Sequence, residues 1–521
     1  MAAVIVCSCF SSGCGGLPII STPDSRSISS VLLDTDDTAL GRAATTQVKL
    51  HSGLNGVHSL PDGPDAFAAR MLLASVAQRS LDVQYYIWHD DLTGTLLLQA
   101  LIDAANRGVR VRLLLDDNNT SGLEAAMAVL AAQSNIEVRL FNPFANRSVR
   151  WLGYLTDFDR LNRRMHNKSL TADNQATIVG GRNIGDEYFD ASDDFMFADL
   201  DVLAIGPVVQ AVSADFDRYW ASGSAYPVTL LLPRATLEEA NTLRAKATQI
   251  RLSSQASQYV EAVRRSNLVE HLIRGDLDLQ WAPVKLITDD PAKALGMAQP
   301  DVMFPARLNK ALGRPERSLD LVSPYFVPGD TGVEDLAELV RGGVQVRVLT
   351  NALEATDVAV VHAGYAKRRR AMLEAGIVLY ELRRTARESV QRSAILRQMI
   401  PSGSRGSIAG SSASSLHAKT IAVDCERIFV GSFNFDPRSA LLNTELGLII
   451  ESHKMASEMA KSFEAIVPDH AFEVRLANSG ELVWLERRDG KITRHDVEPG
   501  TTWWQRGWIR FLSVLPIEWM L

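Results

Sequence analysis

Hydrophobic and polar positions along the chain follow a pattern whose period changes repeatedly. Residues 94–107 (GTLLLQALIDAANR) have the apolar spacing of an amphipathic helix, and Gly108 follows as a stop signal. Residues 109–116 (VRVRLLLD) alternate and then become wholly apolar, which is typical of a strand buried between helices. Because such segments follow one another, the pattern predicts an α/β fold in which helices cover a sheet.

The same succession of segments occurs again in the second half of the chain. The matching pairs are RSLDVQYYIW (79–88) with RSLDLVSPYF (317–326), RGVRVRLLLDD (107–117) with GGVQVRVLTN (342–351), and NIEVRLFNPF (135–144) with AGIVLYELRR (375–384). An internal repeat of this kind predicts two homologous α/β half-domains in a pseudo-two-fold arrangement.

Each half ends in a predicted hairpin with an unusual set of polar residues. HNKSLTAD (166–173) is followed by GGRN (180–183), and HAKTIAVD (417–424) is followed by GSFN (431–434). A single His-x-Lys pair is usually solvated, but four residues repeated at the same offsets are far beyond chance. The candidate site residues are His166, Lys168, Asp173 and Asn183 in the first half and His417, Lys419, Asp424 and Asn434 in the second.

The hairpin pattern predicts how these side chains are arranged. His166 and Lys168 share one face of an extended segment, and TADNQ (171–175) has the composition of a turn. Each half supplies one histidine, one lysine and one asparagine, and neither set is complete alone. We therefore expect a single site, shared between the halves.

A later strand in each half carries a carboxylate, Asp201 in DLDVLAIG and Glu445 in TELGLIIE. A carboxylate beside an imidazole fixes its tautomer and raises its basicity, so both residues are candidates for orienting the two histidines. The alternative is that each is a solvated residue at a strand end.

Paired histidines, lysines and asparagines, without a carboxylate cluster for a metal, favour a phosphodiester substrate. Lysine and asparagine side chains can hold the non-bridging oxygens and neutralise charge in the transition state. One imidazole attacks phosphorus while the other protonates the leaving oxygen, which predicts a phosphohistidine intermediate. No cofactor and no metal are expected.

Composition narrows the function classes further. The 521 residues, 46% of them hydrophobic, suffice for two domains, and a net charge of -7 disfavours a protein that coats nucleic acid. The four cysteines have neither metal-ligand nor disulfide spacing. The sequence contains no run of 18 apolar residues, so no membrane-spanning helix is predicted.

The predicted domains also include segments outside the repeat. They are a leader and linker at 1–50, where SSGC resembles a lipoprotein site at Cys14, a first half at 51–221, a helical connecting insertion at 222–282, a second half at 283–485 and a Trp-rich segment at 486–521. The Ser/Gly-rich stretch at 401–415 predicts a mobile loop. Tryptophan with arginine near the C-terminus suits the lipid headgroup layer, and a helix docked on the core is the alternative.

The paired motifs resemble those of the phospholipase D superfamily. Longer segments, including LDVQYYIWHDD, RLNRRMHNKS, VGGRNIGDEYF and LPIEWML, resemble the bacterial cardiolipin synthase C type. The resemblance implies two α/β halves around one site. The implied activity is transfer of a phosphatidyl group between two phospholipids, which are phosphatidylglycerol and either phosphatidylethanolamine or a second phosphatidylglycerol. It also implies a peripheral or lipid-anchored enzyme at the bacterial inner membrane, with no nucleic acid partner.

Carried over position by position, the resemblance assigns catalysis to the eight motif residues. His166 is then the nucleophile and His417 the acid/base, with a supporting role for Asp173 and Asp424. Gly181 stands where the motif more often has serine, as Ser432 does, so we expect a hydroxyl contact to phosphate to be missing there. The alternatives are a phospholipase, or less favourably a nuclease, with water as acceptor, and a non-catalytic membrane scaffold.

Overall fold

The computed structural model describes residues 17, 27–192, 195–274, 277–356, 358–384 and 413–515. The predicted lipidation of Cys14, most of the predicted loop at 401–415 and the chain beyond residue 515 lie outside these residues.

Two large mixed sheets form the framework of the molecule. The strands in chain order are β1 (Asn55–Leu60), β2 (Ser80–Ile87), β3 (Arg110–Asn119), β4 (Ile136–Phe141), β5 (Ser169–Ala172), β6 (Ala176–Gly180), β7 (Phe195–Ala198), β8 (Asp201–Ile205), β9 (Ala225–Pro227), β10 (Gln280–Ala282), β11 (Val284–Thr288), β12 (Ser318–Val322), β13 (Gln345–Asn351), β14 (Val378–Leu382), β15 (Ala413–Leu416), β16 (Thr420–Val423), β17 (Arg427–Gly431), β18 (Leu446–Ile450), β19 (Ala471–Leu476), β20 (Leu482–Arg488) and β21 (Lys491–His495). The first sheet has the order β10-β1-β8-β6-β5-β2-β3-β4-β9, and the second has the order β11-β18-β17-β16-β12-β13-β14-β19-β20-β21.

Helices flank these sheets. They are α1 (Ala39–Leu50), α2 (Gly63–Val76), α3 (Leu92–Asn106), α4 (Glu124–Ala131), α5 (Arg150–Thr156), α6 (Phe158–Leu161), α7 (Pro207–Ala221), α8 (Leu237–Arg251), α9 (Ser254–Arg264), α10 (Asn267–Arg274), α11 (Phe304–Leu312), α12 (Gly329–Arg341), α13 (Ala359–Ala366), α14 (Arg369–Glu374), α15 (Pro437–Leu441), α16 (His453–Ala465), α17 (Val467–His470) and α18 (Trp503–Val514). Among the described residues, no helix combines the length and apolarity needed to cross a bilayer.

The internal repeat is visible in the strand order. The run β8-β6-β5-β2-β3-β4 has its counterpart in β18-β17-β16-β12-β13-β14, with β2, β3 and β4 parallel to one another, as are β12, β13 and β14. The predicted helix at 94–107 is α3, which Asp91 caps at its start by accepting from the Gly94 N–H. Gly108 follows it at φ 93°, a left-handed conformation that glycine adopts without strain. These features confirm the predicted α/β fold with two half-domains.

Buried aliphatic side chains from both sheets form one core between them, which contains Val57 and Val202 of the first sheet and Val322 and Leu448 of the second. Two further cores lie under the helices of the first and second halves. The region predicted as a connecting insertion forms α8, α9 and α10, and its ends add β9 and β10 to the first sheet. Because the halves share a core, elements of one half can position residues of the other.

Candidate active site

The two hairpins have tight turns fixed by their aspartates. Asp173 lies at φ 50° and Asp424 at φ 57°, in the left-handed region that aspartate tolerates in turns. The Asp173 carboxylate accepts the backbone N–H groups of Gln78, Arg79 and Ser80 at 2.7–3.1 Å. Asp424 accepts the equivalent groups at residues 316–318. The motif aspartates thus tie each hairpin to the start of a neighbouring strand, β2 in the first half and β12 in the second.

The residues before each motif histidine pair with the opposite half. The His166 N–H donates to Thr444 O at 2.9 Å, and the Thr444 N–H donates to Arg164 O at 2.8 Å. In the same way, β15 runs parallel to β7, and the His417 N–H donates to Ala198 O at 2.7 Å. This reciprocal pairing brings both motifs to the interface between the halves.

A second pair of equivalent residues fixes the same segments from within each half. Asp116, in the last part of β3, accepts the Met165 N–H at 2.8 Å. Asn351, at the equivalent position of β13, accepts the Leu416 N–H at 2.9 Å. Both motifs therefore lie at the edge where the parallel strands end, the usual place for a site in such sheets.

The carboxylates that contact the histidines cross between the halves. His166 Nδ1 lies 2.9 Å from Glu445 Oε2, and His417 Nδ1 lies 2.5 Å from Asp199 Oδ2. Each carboxylate belongs to the half opposite its histidine. With Nδ1 protonated and donating, Nε2 of each ring carries the lone pair.

The prediction that Asp201 orients a histidine is wrong. Asp201 forms buried ion pairs with Arg70 at 2.9 Å and Arg182 at 3.4 Å. In the ladders Asp201 lies opposite Gly180, as Gly447 lies opposite Gly431. The counterpart of Glu445 is therefore Asp199, two residues earlier, and an alignment of DLDVLAI with ELGLII would have revealed it.

The two lysines are buried beside their own histidines. Lys168 Nζ donates to His166 O at 2.6 Å and lies 5.7 Å from the centre of the Tyr86 ring. Lys419 Nζ contacts His417 O and lies 3.0 Å from His417 Nδ1. The Tyr86 ring meets the His166 ring edge-on at 5.0 Å, so an aromatic wall that the motif did not reveal holds this imidazole.

The two asparagines differ in their surroundings. The Asn183 side chain accepts the Ile87 N–H and donates to the Tyr188 hydroxyl, both at 3.1 Å. The Tyr188 ring lies 5.2 Å from the His417 ring, which it supports. Asn434 is also buried, but its Oδ1 has no hydrogen-bond partner among the described residues. An unpaired carbonyl oxygen in a site of this kind is suited to a donor group of a ligand.

The glycine and serine at equivalent positions of the two halves have different surroundings. The Ser432 hydroxyl donates to Glu445 Oε2 and accepts the Leu446 N–H at 3.0 Å, so both of its hydrogen bonds are internal. A Cβ at Gly181 would lie 2.1 Å from Asp199 Oδ1. A serine at this position would contact the Asp199 carboxylate, as Ser432 contacts Glu445, and the expectation that a hydroxyl contact to phosphate is missing at Gly181 stays a prediction.

Burial and neighbouring charges make the histidines unequal. Burial, together with Lys168 and Lys419, lowers the pKa of His166 well below its usual value. Burial raises the pKa of Glu445 to about 7, although Lys168 opposes the rise. Burial also lowers the pKa of His417, but Asp199 opposes that shift. Burial alone would raise the pKa of the Asp199 carboxyl, yet His417 and Lys419 hold it well below its usual range.

Comparison with known proteins places this chain in a family. A family model described as "Cardiolipin synthase, PLD-like domain" matches residues 72–220 and 308–467. The chain is 48% identical over 471 residues to cardiolipin synthase C of Escherichia coli (strain K12), covering 90% of this chain and 97% of that protein. It is 31% identical over 514 residues to an uncharacterized protein of Helicobacter pylori, covering 97% of each chain.

Among solved structures, phosphatidylserine synthase of Haemophilus influenzae Rd KW20 has a similar fold. Its TM-score is 0.56 at 13% identity, and the match covers 92% of this chain and 100% of that one. The family model and the E. coli relative together confirm the resemblance to the phospholipase D superfamily. Because the family model matches both halves and the E. coli relative is similar over nearly its whole length, this chain belongs to the cardiolipin synthase, PLD-like domain family.

Proposed function

We propose that the protein is a cardiolipin synthase, a phosphatidyltransferase that joins two phospholipids through a phosphohistidine intermediate. The observation that carries the proposal is the crossed arrangement of His166 with Glu445 and His417 with Asp199. Two imidazoles oriented by carboxylates across one interface suit two proton transfers and one covalent attack at a single phosphorus atom. The family membership and the E. coli relative's name support the lipid substrate.

In the first step His166 is the nucleophile. Its depressed pKa leaves the imidazole neutral near pH 7, so the Nε2 lone pair attacks the phosphorus of phosphatidylglycerol while Nδ1–H donates to Glu445. His417 enters this step as the imidazolium, which the ionised Asp199 stabilises, and its Nε2–H protonates the leaving glycerol oxygen of that phospholipid. The P–O bond breaks, glycerol leaves, and the phosphatidyl group stays on His166.

In the second step the roles of the proton carriers reverse. The neutral His417 takes the proton from a headgroup hydroxyl of a second phosphatidylglycerol, and the resulting oxygen attacks phosphorus. The P–N bond to His166 breaks and cardiolipin is released. With phosphatidylethanolamine as donor, ethanolamine leaves in the first step and the second step is the same.

The charge on the non-bridging oxygens is stabilised by Lys168, Lys419 and Asn434. Burial lowers the pKa of Lys168 to about 7, so its charge is sensitive to neighbouring groups. Asn434 is buried in the site, and its NH₂ group donates to a phosphoryl oxygen. Asn183 keeps one N–H for the substrate while its other contacts position Tyr188. Asp173 and Asp424 act only by fixing the hairpins.

The protein works at a membrane surface, and α18 is one of its contacts. Ile509 and Leu512 are buried in a cluster with Leu353 and Ala363, so one face of the helix is docked on the second half. The opposite face exposes tryptophans, of which Trp503 is 76% and Trp504 64% accessible. The helix therefore combines the two alternatives drawn from the sequence, because its buried face is docked on the core and its exposed face is free to contact lipid headgroups. The exposed rings suit the headgroup layer of the inner membrane.

The test is incubation of the purified protein with phosphatidylglycerol, alone or with phosphatidylethanolamine, followed by mass spectrometry. We expect cardiolipin with release of glycerol in the first case, and of ethanolamine as well in the second. Phosphatidate as the main product would identify a phospholipase instead, and no turnover of any lipid would contradict the proposal.

A further inference from the structure

The short helix α5 has its polar and apolar faces reversed relative to an ordinary surface helix. Trp151 is 63% and Leu155 74% exposed, and Leu152 beside them is also exposed. The arginines of the same segment face the protein, with Arg147 12% and Arg150 14% exposed. A helix on a water-exposed surface normally buries its apolar stripe and exposes its charges. The reversed orientation therefore calls for a non-aqueous partner.

Specific bonds hold α5 in this orientation. Arg147 Nη1 lies 2.5 Å from Asp117 Oδ2, and Arg150 Nη2 lies 2.6 Å from Glu124 Oε1. Asp117 is fully buried, so its pairing with Arg147 is costly to break. Rotating the helix to bury Trp151 would abandon these ion pairs. The exposed stripe is thus a fixed feature of the first half.

A short chain of contacts links α5 to the proposed nucleophile. The Tyr154 hydroxyl donates to Asn118 Oδ1 at 2.8 Å, and Asn118 Nδ2 lies 3.4 Å from the Tyr86 hydroxyl. The Tyr86 ring packs on the His166 ring. The stripe therefore lies on the edge of the molecule that contains the site.

The second half presents its exposed helix at the equivalent place. The buried face of α18 packs on Leu353, two residues after Asn351, whose side chain bonds the residue preceding His417. Among the described residues, the tryptophans exposed by more than a third are Trp151 on α5 and Trp503, Trp504 and Trp508 on α18. Both helices thus border the same edge, one from each half.

We propose that α5 is a second membrane contact, and that the exposed stripe of Trp151, Leu152 and Leu155 inserts into the phospholipid headgroup layer beside the His166 half of the site. This inference rests on the proposed function, because a diacyl substrate in a bilayer requires the site edge to face the bilayer. Tryptophan and leucine at that depth gain from leaving water, while the buried arginines keep the helix attached. Together, α5 and α18 hold the mouth of the site against the lipid surface from both sides.

The test compares the Trp151→Ser/Leu155→Ser protein with Leu237→Ser/Leu252→Ser, a matched control in which two exposed leucines near the ends of α8 are changed. Binding to phosphatidylglycerol vesicles is measured by co-sedimentation, and turnover is measured on vesicles and on monomeric short-chain phosphatidylglycerol. We expect the α5 variant to bind vesicles at least about tenfold more weakly and to turn them over correspondingly slowly, with wild-type kcat/KM on the monomeric lipid and an unchanged melting temperature. The control variant should match the wild type throughout.

Three results would overturn the inference. Unchanged vesicle binding would exclude a membrane contact, and equal losses on vesicles and monomeric lipid would make α5 a support of the site itself. Dissociation of a wild-type dimer by the α5 changes, seen by sedimentation velocity, would identify a second copy of the chain as the partner of the stripe. Failure of the proposed function is separate, because there the wild type would not convert the monomeric lipid at all.

Discussion

The two halves of the molecule carry the same motif on the same framework, yet their histidines have different partners. His166 faces Glu445, whose pKa burial raises to about 7, whereas His417 faces Asp199, whose carboxyl stays ionised. The more strongly depressed pKa belongs to His166. Repetition of a backbone thus does not require repetition of a chemical role, and in the proposed mechanism these different surroundings separate the nucleophile from the acid/base.

The difference between the halves comes from two pairs of equivalent positions, 199 with 445 and 181 with 432. Glutamate is one methylene longer than aspartate, and the Ser432 hydroxyl bonds the Glu445 carboxylate. Opposite the shorter Asp199 stands Gly181, with no room for a side chain. Each histidine therefore has a carboxylate and a matching small residue, and the two sets are not interchangeable.

The largest loss of turnover is expected when either imidazole is removed. We expect His166→Ala and His417→Ala each to lower turnover by on the order of a hundredfold or more, because covalent attack and proton transfer are both lost. Steady-state assays on phosphatidylglycerol check this, with circular dichroism to verify folding. Near-normal activity in either variant would mean that the halves do not share one site.

The neighbouring carboxylates Asp199 and Asp201 offer a sharper contrast. Asp199→Asn should cost roughly ten- to a hundredfold in kcat, since the orientation and charge that support His417 are lost. Asp201→Asn should leave kcat of the folded protein near normal but lower its melting temperature, because Arg70 and Arg182 stay buried beside a weakened partner. The reverse pattern would restore Asp201 as the orienting residue.

Exchanging the small residues should produce unequal effects. Ser432→Ala removes one hydrogen bond to Glu445, worth about 1 kcal/mol, and should slow turnover about fivefold. Gly181→Ser places a Cβ against Asp199 and should approach the loss seen for Asp199→Asn. The measurement is kcat for both variants under saturating lipid. Equal, small effects would show that the halves tolerate the same residue at this position.

The smallest expected effect is a shift in pH dependence. Burial lowers the pKa of Lys168 to about 7 and raises that of Glu445 to about 7, so kcat/KM should peak near neutral pH. The rate should fall on the acid side as Glu445 takes up a proton, and on the alkaline side as Lys168 loses one. In Glu445→Gln the acid limb from this group should vanish. Its alkaline limb should move to lower pH, because the negative charge that raises the pKa of Lys168 is gone. An unmoved alkaline limb would exclude Lys168 as the titrating group.

The sequence predicted most of the framework because the relevant signals are local or repeated. Apolar spacing located α3 and β3, and the turn chemistry around Asp173 located the hairpin. The register of Asp199 was missed because two carboxylates stand two residues apart on the same face of an extended chain, where either one satisfies the pattern. Partners such as Tyr86 depend on long-range packing, which no local spacing reveals. The reversed orientation of α5 likewise depends on long-range ion pairs, those of Arg147 with Asp117 and of Arg150 with Glu124.

The central claim, that His166 alone becomes covalently modified, is tested most directly by trapping the intermediate. The enzyme is mixed with short-chain phosphatidylglycerol, quenched within one turnover in alkali, where phosphohistidine survives, and digested with trypsin. The two histidines then fall in different peptides, residues 165–168 and residues 406–419. The account predicts the phosphatidyl group on the peptide 165–168 and its absence in His166→Ala. Modification of the peptide 406–419 instead would assign the nucleophile to the second half and contradict the division of roles proposed for the two halves.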